Sequence, residues 1–137
     1  MDTNAEIIVT SEKDGEKGES FSAAGSVLEK CGARCILYTE PGIEGVLTTL
    51  KINDNAVTLI RFGKQRLRLE FKKGVKTGAR YGTPYGDFEM KVITEKVHIR
   101  EKESGGEVYL AYILDFSGER SFNKFKLSYS FQEGQKQ

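Results

Sequence analysis

Apolar and polar residues alternate regularly between Val46 and Phe71, with two interruptions that have the composition of turns. Successive side chains of a β-strand point to opposite faces of the sheet, so this alternation predicts three strands, each with one buried face. The first interruption, Asp54-Asn55, suits a two-residue hairpin turn because both residue types tolerate a positive φ. The second, Gly63-Lys64-Gln65, suits a three-residue loop containing glycine. We therefore predict an antiparallel meander over these residues.

The two turns also determine which residues of the predicted meander face each other. The first turn places Leu50 opposite Leu59, and the second places Leu59 opposite Leu69. A two-residue second loop would instead bring Arg68 and Glu70 onto the apolar face, because a shift of one residue exchanges the faces of a strand. With the three-residue loop, the inner face carries one cation among uncharged residues: Val46, Thr48, Leu50, Ile52, Val57, Leu59, Arg61, Leu67, Leu69 and Phe71.

Similar strand-like segments, bounded by short turns, fill the rest of the chain. Pro84 lies in the segment over 79–86, and because proline has no N–H to donate, we predict an edge strand or a break there. In the segment over 87–100 the apolar positions change from even to odd numbers, which predicts a β-bulge near Ile93 to Glu95. No segment of useful length has the helical period. The remaining predicted strands occupy residues 6–11, 20–30, 34–40, 107–116 and 124–131.

The number and spacing of these segments define the predicted fold class. At 137 residues the chain has the length of one domain, which we place over residues 1–137 with frayed ends at 1–5 and 132–137. Every predicted connection is short, which favours strands that pair with their neighbours in sequence over Greek-key crossings. We therefore predict an all-β fold: a single antiparallel up-and-down barrel of about 8–10 strands.

Composition and charge limit the classes of partner and the cellular compartment that we expect for the protein. The formal net charge is +1, so no global field attracts the protein to nucleic acid or to membranes, and we expect neither as a main partner. Cys31 and Cys35 are too few for a disulfide framework and lack the histidine partners of a zinc site, so we expect reduced thiols. The acidic N-terminal residues are not expected to form a signal peptide, and no apolar run reaches the length of a membrane span. These features predict a soluble, cytoplasmic protein.

No catalytic constellation stands out. His98 is the only histidine, and it shares a face with Lys96 and Arg100 in the predicted strand, which indicates a solvated side chain. Nucleophile elbows, phosphate-binding loops and metal-spaced clusters are absent from the sequence. We therefore expect no enzyme activity, no catalytic residue, no metal site and no cofactor.

Several short motifs occur in an order and spacing that resemble those of a known family. The motifs are Gly25 with Gly32, Tyr38-Thr39-Glu40, Thr48 to Ile52, Val57 to Arg61 with Gly63, Phe71 with Gly74, and Tyr81 with Thr83-Pro84-Tyr85-Gly86. They cover roughly residues 20 to 100 and resemble the YwiB-like family, small bacterial proteins of unknown function with a calycin (lipocalin-like) barrel. The resemblance implies the barrel, a bacterial cytosolic setting and an interior able to hold something small. It supplies no catalytic residues, and ligand binding is an analogy with lipocalin-like folds, because fold does not determine function.

Arg61 is the predicted interior position that carries a charge. A buried guanidinium requires hydrogen-bonding partners, because an unpaired buried charge is strongly destabilising. One explanation is a polar anchor for an anionic head group whose apolar part lies against leucines of the inner face, which is the usual composition of a ligand site. The other is an internal ion pair with Glu40 or Glu44. The candidate ligand-binding residues are Arg61, Glu40, Tyr38, Thr48, Tyr81 and Tyr85. Tyr38, Thr48, Tyr81 and Tyr85 are included because of the strand face they are expected to occupy and because of the family resemblance.

Two functional hypotheses follow. The first is a non-catalytic binding module that holds a small, anionic and partly apolar molecule in the barrel or at its mouth. The alternative is an interaction protein with a filled barrel, whose basic outer face, Arg66, Arg68, Lys72 and Lys73, contacts an acidic protein or RNA. The same cations are also typical of a solvated edge that resists aggregation.

The predicted outer face also carries three apolar residues, Leu47, Ile60 and Phe62. We expect the N-terminal strand to cover them, and a homodimer contact is the alternative. Both a monomer and a homodimer therefore remain open.

Overall fold

The computed structural model describes residues 2–132, which form ten antiparallel strands arranged as a closed barrel. Each strand pairs with its neighbours in sequence, and the first strand pairs with the last. The predicted all-β, up-and-down barrel is therefore confirmed. No helix long and apolar enough to cross a bilayer occurs within residues 2–132. The strands are β1 (Asp2–Lys13), β2 (Glu16–Lys30), β3 (Ala33–Tyr38), β4 (Val46–Asn53), β5 (Ala56–Gly63), β6 (Arg66–Lys72), β7 (Lys76–Thr83), β8 (Gly86–Lys102), β9 (Gly105–Phe116) and β10 (Glu119–Phe131).

The meander formed by β4, β5 and β6 has the predicted register. Leu50 pairs with Leu59, and Leu59 pairs with Leu69. All three side chains are buried, with at most 6% of their surface exposed. Asp54 adopts a φ of 54° in the turn between β4 and β5, which aspartate tolerates. The alternation of apolar and polar residues and the turn chemistry thus specify the same pairing.

β8 contains the predicted β-bulge. Its register with β9 shifts between Thr94 and Lys96, so that Thr94 is buried and Val97 packs against the core. An extra residue on one strand increases the local twist and bends the strand. The bend lets β8, which is 17 residues long, follow the curvature of the barrel wall.

Apolar side chains fill the middle of the barrel. Protein interiors are close-packed, so a ligand at the centre would have to displace side chains whose burial contributes roughly 1.5–3 kcal/mol each. A site inside the barrel can therefore form only at one of its two ends. The side chains with 0% exposure are Ile7, Ile36, Leu50, Val57, Val92, Val108, Leu110 and Leu127.

Residues 2–5, for which we expected fraying, lie in a strand. Residues 2–5 belong to β1, which lies between β2 and β10, and Ala5 is 1% exposed. Closure of the barrel removes the free edge, so the first strand is held on both sides. At the other end, the Gln132 N–H donates to a carbonyl of β1 at 3.2 Å. Residues 133–137 of the expected frayed tail lie outside the described residues.

Of the two alternatives predicted for residues 79–86, the structure has the break, at Pro84, but not the edge strand. β7 has a neighbour on each side, and Pro84 lies in the turn between β7 and β8, where no ladder hydrogen bond is needed. The seam between β6 and β7 is nevertheless thin, with two residue pairs that involve Arg66 and Leu67 of β6. This seam is the least paired part of the barrel wall.

The outer apolar residues are not covered by the N-terminal strand. β1 lies in the wall between β2 and β10, because barrel closure requires it there. Leu47 and Phe62 form a pair on the outer face of β4 and β5 and are 41% and 60% exposed. The expectation of a covered patch is therefore wrong, and these side chains are available for contact with other molecules.

Candidate functional site

Five turns meet at one end of the barrel, which we call the mouth. They follow β1, β3, β5, β7 and β9, because successive strands of a meander run in opposite directions. Arg61 lies two residues before the end of β5 and pairs with Thr48 of β4, which in turn pairs with Tyr38 of β3. Directly paired residues project to the same side of a sheet. Since Tyr38 and Thr48 are buried, all three side chains point into the barrel near the mouth.

Arg61 forms an ion pair with Glu40. Its Nη2 donates to Glu40 Oε1 at 3.0 Å, and the side chains are 24% and 7% exposed respectively. Glu40 follows Tyr38 by two residues, which keeps its side chain on the interior side where the loop after β3 begins. Glu40, and not Glu44, is the partner of the interior cation.

A second carboxyl group lies beside this ion pair. Burial raises the pKa of Glu40 above its ordinary value. The positive charge of Arg61 acts in the opposite direction, and the nearby carboxyl group of Glu19 on β2 raises the pKa further. A second negative charge close by favours the neutral form of a carboxyl group. The mouth therefore holds a group that can take up a proton next to a fixed cation.

Two polar atoms of this cluster have no hydrogen-bond partner within the described residues. They are Arg61 Nε and Thr48 Oγ1, and both are buried. A guanidinium presents five N–H donors in a fixed fork, and a buried donor left unsatisfied costs about 1–3 kcal/mol. Each of the two atoms exposes less than 1 Å², so a polar group from outside can reach them only after the covering side chains move. The two atoms are donors that the protein's own side chains do not use.

An apolar rim surrounds the polar cluster. Leu67 and Tyr81, which follow Arg61 in the same row of paired residues, pack against the core and remain partly exposed. Phe88 comes next in this row, and its ring lies 5.7 Å from the ring of Phe116. Phe88 and Phe116 are 41% and 38% exposed. The mouth therefore combines an apolar wall with a few polar groups, as small-molecule sites commonly do.

Tyr112 and Glu19 belong to the cluster but were not predicted from the sequence. Burial raises the pKa of Tyr112, and the charge of Arg61 acts to lower it, which places the phenol near the guanidinium. The Tyr112 ring also packs on Phe71, with 4.8 Å between the centroids. β9 carries apolar residues on both faces, so the alternation along the strand could not show that Tyr112 faces inward. Glu19 shares the inward side of β2 with Phe21 and Val27, but it lies just before the strand predicted over 20–30 and was therefore not considered.

The structure does not bring Tyr85 to the cluster. Tyr85 lies in the turn between β7 and β8, its side chain is 95% exposed, and its N–H donates to Thr83 Oγ1 at 3.1 Å. Tyr81 lies two strands away from Arg61, as part of the rim. Tyr38 is 2% exposed, its ring lies 6.2 Å from that of Phe21, and its burial raises its pKa. Four of the six candidate residues are therefore contiguous: Arg61, Glu40, Tyr38 and Thr48.

Other parts of the described chain give weaker indications of a site. An open depression of about 760 Å³ lies on the outer wall around Gly78 and Lys91, and neither Arg61 nor Glu40 lines it. Its lining includes Arg80 and Glu89, which pair with each other at 3.6 Å. Within residues 2–132, no group of three or more histidine, cysteine, aspartate or glutamate residues is arranged to hold a metal ion. The mouth is therefore the better candidate.

Comparison with known proteins agrees with this architecture. The chain is 26% identical to the uncharacterized beta-barrel protein YwiB of Bacillus subtilis (strain 168) over 83 residues, which are 61% of this chain and 58% of that protein. The crystal structure of the ywiB protein from Bacillus subtilis superposes with a TM-score of 0.85 at 22% identity, covering 96% of this chain and 93% of that chain. At that identity the likeness shows the fold alone. A family model described as "Domain of unknown function (DUF1934)" matches residues 6–128. The chain therefore belongs to the DUF1934 family, which confirms its resemblance to YwiB-like proteins.

Proposed function

We propose that the barrel is a non-catalytic binding module that holds a small, partly apolar molecule at its mouth, with an anionic end group anchored by Arg61. The observation that carries the proposal is the pair of unsatisfied buried atoms, Arg61 Nε and Thr48 Oγ1, beneath an apolar rim. A ligand oxygen that reaches them, once the covering side chains have moved, would accept from the guanidinium or from the hydroxyl. Hydrogen bonds to a charged group are among the stronger ones, at about 1.5–3 kcal/mol each.

The mouth favours an anionic group only when Glu40 is protonated. Glu40 already faces Arg61 at 3.0 Å, so an added anion would meet a neutralised cation as long as Glu40 is ionised. Burial and Glu19 both favour the protonated form of Glu40. When Glu40 takes up a proton, the charge of Arg61 becomes available to the ligand. Binding of an anion should therefore be accompanied by proton uptake.

The filled centre of the barrel supports a position at the mouth. Leu50 and Leu110 are fully buried below the cluster, so the apolar part of the ligand would lie against the rim. Phe88 and Phe116 present exposed aromatic faces there. A ligand with one flat or branched apolar group suits this shape better than a long chain.

We also infer a cytoplasmic setting. Cys31 is exposed and Cys35 is half-buried, and both are free thiols. Free thiols persist in a reducing compartment.

The test uses anilinonaphthalene sulfonate, a fluorescent probe that is anionic and partly apolar. The probe should bind the folded protein, and Arg61→Met should weaken the binding by roughly tenfold or more, as loss of a charged hydrogen bond predicts. The matched control is Arg120→Met, which removes an exposed cation paired with Asp115 and should leave binding unchanged. Equal affinities of the two variants would overturn the proposal. Circular dichroism of each variant establishes that it is folded.

Native mass spectrometry of the purified protein gives an independent check. A co-purified small molecule that is retained by the wild type and by Arg120→Met, and is lost from Arg61→Met, would identify the ligand class. The same spectra report whether the protein is a monomer or a homodimer. A molecule retained equally by Arg61→Met would place its binding site elsewhere.

A further inference from the structure

The outer wall opposite the buried face of β6 carries a row of cations. Along β6 the odd-numbered residues from Leu67 to Phe71 face the core, so Arg66, Arg68, Glu70 and Lys72 face outward. The three cations are exposed, and Glu70, between Arg68 and Lys72, is half-buried. Residues that alternate along a strand are about 7 Å apart on one face. Exposed Lys51 and Lys73 extend the row. We call Lys51, Phe62, Arg66, Arg68, Lys72 and Lys73 the basic strip.

The cations of the strip surround a concave surface. An open depression of about 620 Å³ is lined by Lys51, Arg68, Lys72 and Lys73. Its acidic lining residues are Asp54 and Glu70, and Glu70 lies 3.8 Å from Arg68 Nε. The cations therefore outnumber the acids, and the local field is positive. The near-zero net charge of the whole chain does not cancel this field, because charges more than about 8–10 Å away are largely screened by salt.

An exposed aromatic ring lies at the mouth end of the strip. Phe62 is 60% exposed and pairs with Leu47, itself 41% exposed, on the outer face. The loop between β5 and β6 brings Phe62 beside Arg66. An aromatic face next to a line of cations is the combination on which nucleotide bases stack while phosphates are neutralised. An acidic peptide would satisfy the cations, but it has no general use for the ring.

We propose that the basic strip on β4, β5 and β6 binds single-stranded nucleic acid, with a base stacked on Phe62 and phosphates on Arg66, Arg68 and Lys72. An extended single strand can follow the row of cations along β6 and place a base over the ring at its end. This site lies on the outer wall and is independent of the mouth.

The experiment measures fluorescence anisotropy of a labelled oligouridine of about twelve nucleotides over a range of salt concentrations. The double variant Arg66→Ala/Arg68→Ala should weaken binding at least tenfold. The slope of log affinity against log salt concentration should also become less steep, by the amount expected when about two phosphate contacts are lost. The charge-matched control is Arg100→Ala/Lys126→Ala, which removes two exposed cations that pair with Glu107 on another part of the wall. This control should bind like the wild type.

The role of the ring is tested with a matched pair of phenylalanines. Phe62→Ala should weaken oligouridine binding roughly tenfold, as the loss of one stacked base predicts, whereas Phe122→Ala should have no effect. Phe122 is 59% exposed on β10, so the two substitutions remove similar surface. Inorganic polyphosphate, which has no bases, should bind Phe62→Ala and wild type equally.

Three results would overturn the proposal. The first is no binding of oligouridine at low salt. The second is equal binding by the Arg66/Arg68 and Arg100/Lys126 double variants. The third is an unchanged affinity of Phe62→Ala for oligouridine, which would leave the strip as a contact for an acidic protein. Thermal melts of all variants show whether each is folded under the assay conditions.

Discussion

Arg34 and Arg61 enter the barrel from opposite ends, and only Arg34 has partners on both arms of its guanidinium. Arg34 Nη1 donates to the Tyr129 hydroxyl at 2.7 Å, and Nη2 donates to Glu29 at 3.0 Å. Arg34 Nη1 also lies 3.3 Å from Glu101. Burial alone would lower the pKa of Arg34, but these partners raise it overall. Arg34 thus closes its end of the barrel, whereas Arg61 keeps an unused donor.

The contrast predicts a structural role for Arg34. Arg34→Met should destabilise the protein by about 1–2 kcal/mol, mainly because Tyr129 loses its donor. Glu29 and Glu101 are exposed, so the loss of their cation adds little. Tyr129→Phe should cost about 1 kcal/mol. Urea unfolding of both variants and of the double variant measures the coupling. A double variant whose loss equals the sum of the two single losses would contradict the shared network.

The substitution Arg61→Leu tests whether Arg61 serves only as a ligand anchor or also stabilises the fold as the partner of Glu40. Since Glu40 is buried beside Arg61, removal of the cation should cost about 1–3 kcal/mol at neutral pH. The loss should shrink at a pH below the ordinary pKa of a glutamate, because Glu40, whose pKa is raised, is protonated there. Thermal melts at both pH values make the comparison. The double variant Arg61→Leu/Glu40→Gln serves as the control and should recover most of the neutral-pH loss.

Glu40→Gln should change the pH dependence of stability in a defined direction. The folded-state pKa of Glu40 is raised, so its contribution to stability is fully present below the unfolded pKa. That contribution is lost as pH rises through the folded pKa, because the folded protein then binds more protons than the unfolded chain. The melting temperature of Glu40→Gln relative to wild type should therefore rise as the pH increases from the ordinary pKa of a glutamate through the raised pKa of Glu40. A difference that stays constant or falls would contradict the raised pKa.

Gly63, at the end of β5, packs closely against the backbone of Gly45 in the loop before β4. Gly63 has a φ of 111°, and a Cβ added there would collide with the Gly45 carbonyl. Gly63→Ala should therefore cost more than 2 kcal/mol, above the roughly 1 kcal/mol expected of a positive φ alone. Gly15→Ala is the matched control, since Gly15 has a φ of 80° and open space around it. Chemical unfolding should rank the two variants in that order.

The thin seam between β6 and β7 predicts local opening. Beyond its two residue pairs, the Thr77 hydroxyl donates to the Glu70 carbonyl at 2.9 Å. Amides of β7 from Lys76 to Arg80 should exchange with solvent faster than those of β9, because they have fewer ladder partners. Thr77→Val should speed this exchange further. Hydrogen-exchange mass spectrometry with Thr83→Val as the control measures the effect; equal protection of β7 and β9 would exclude a weak seam.

The fold could be predicted where local signals agreed. For the meander, Asp54 and Gly63 mark turns, and Leu50, Leu59 and Leu69 lie at the spacing that those turns require. Turn chemistry and burial pattern then specify one register. The same reasoning placed the bulge of β8, because a change of parity is visible in the sequence.

The site could be predicted only in part, because its partners come from distant segments. The parity of Arg61 showed that it faces inward, but Glu40 and Glu44 lie in one loop, and sequence spacing cannot choose between them. The partners of Arg34 come from β2, β8 and β10, which only barrel closure brings together. Tyr85 was misplaced because a turn residue has no defined face.

The strands that are closest along the chain are not always the ones that share the most residue pairs in this sheet. β1 and β10 carry the chain ends, yet they meet through nine residue pairs, whereas β6 and β7, joined by a short hairpin, meet through two. Opened along this seam, the sheet would begin with β7 and finish with β6, and the start of β1 and the end of β10 would lie in its interior. A circular permutant that joins the old ends and opens between Lys72 and Lys76 should therefore keep the barrel intact.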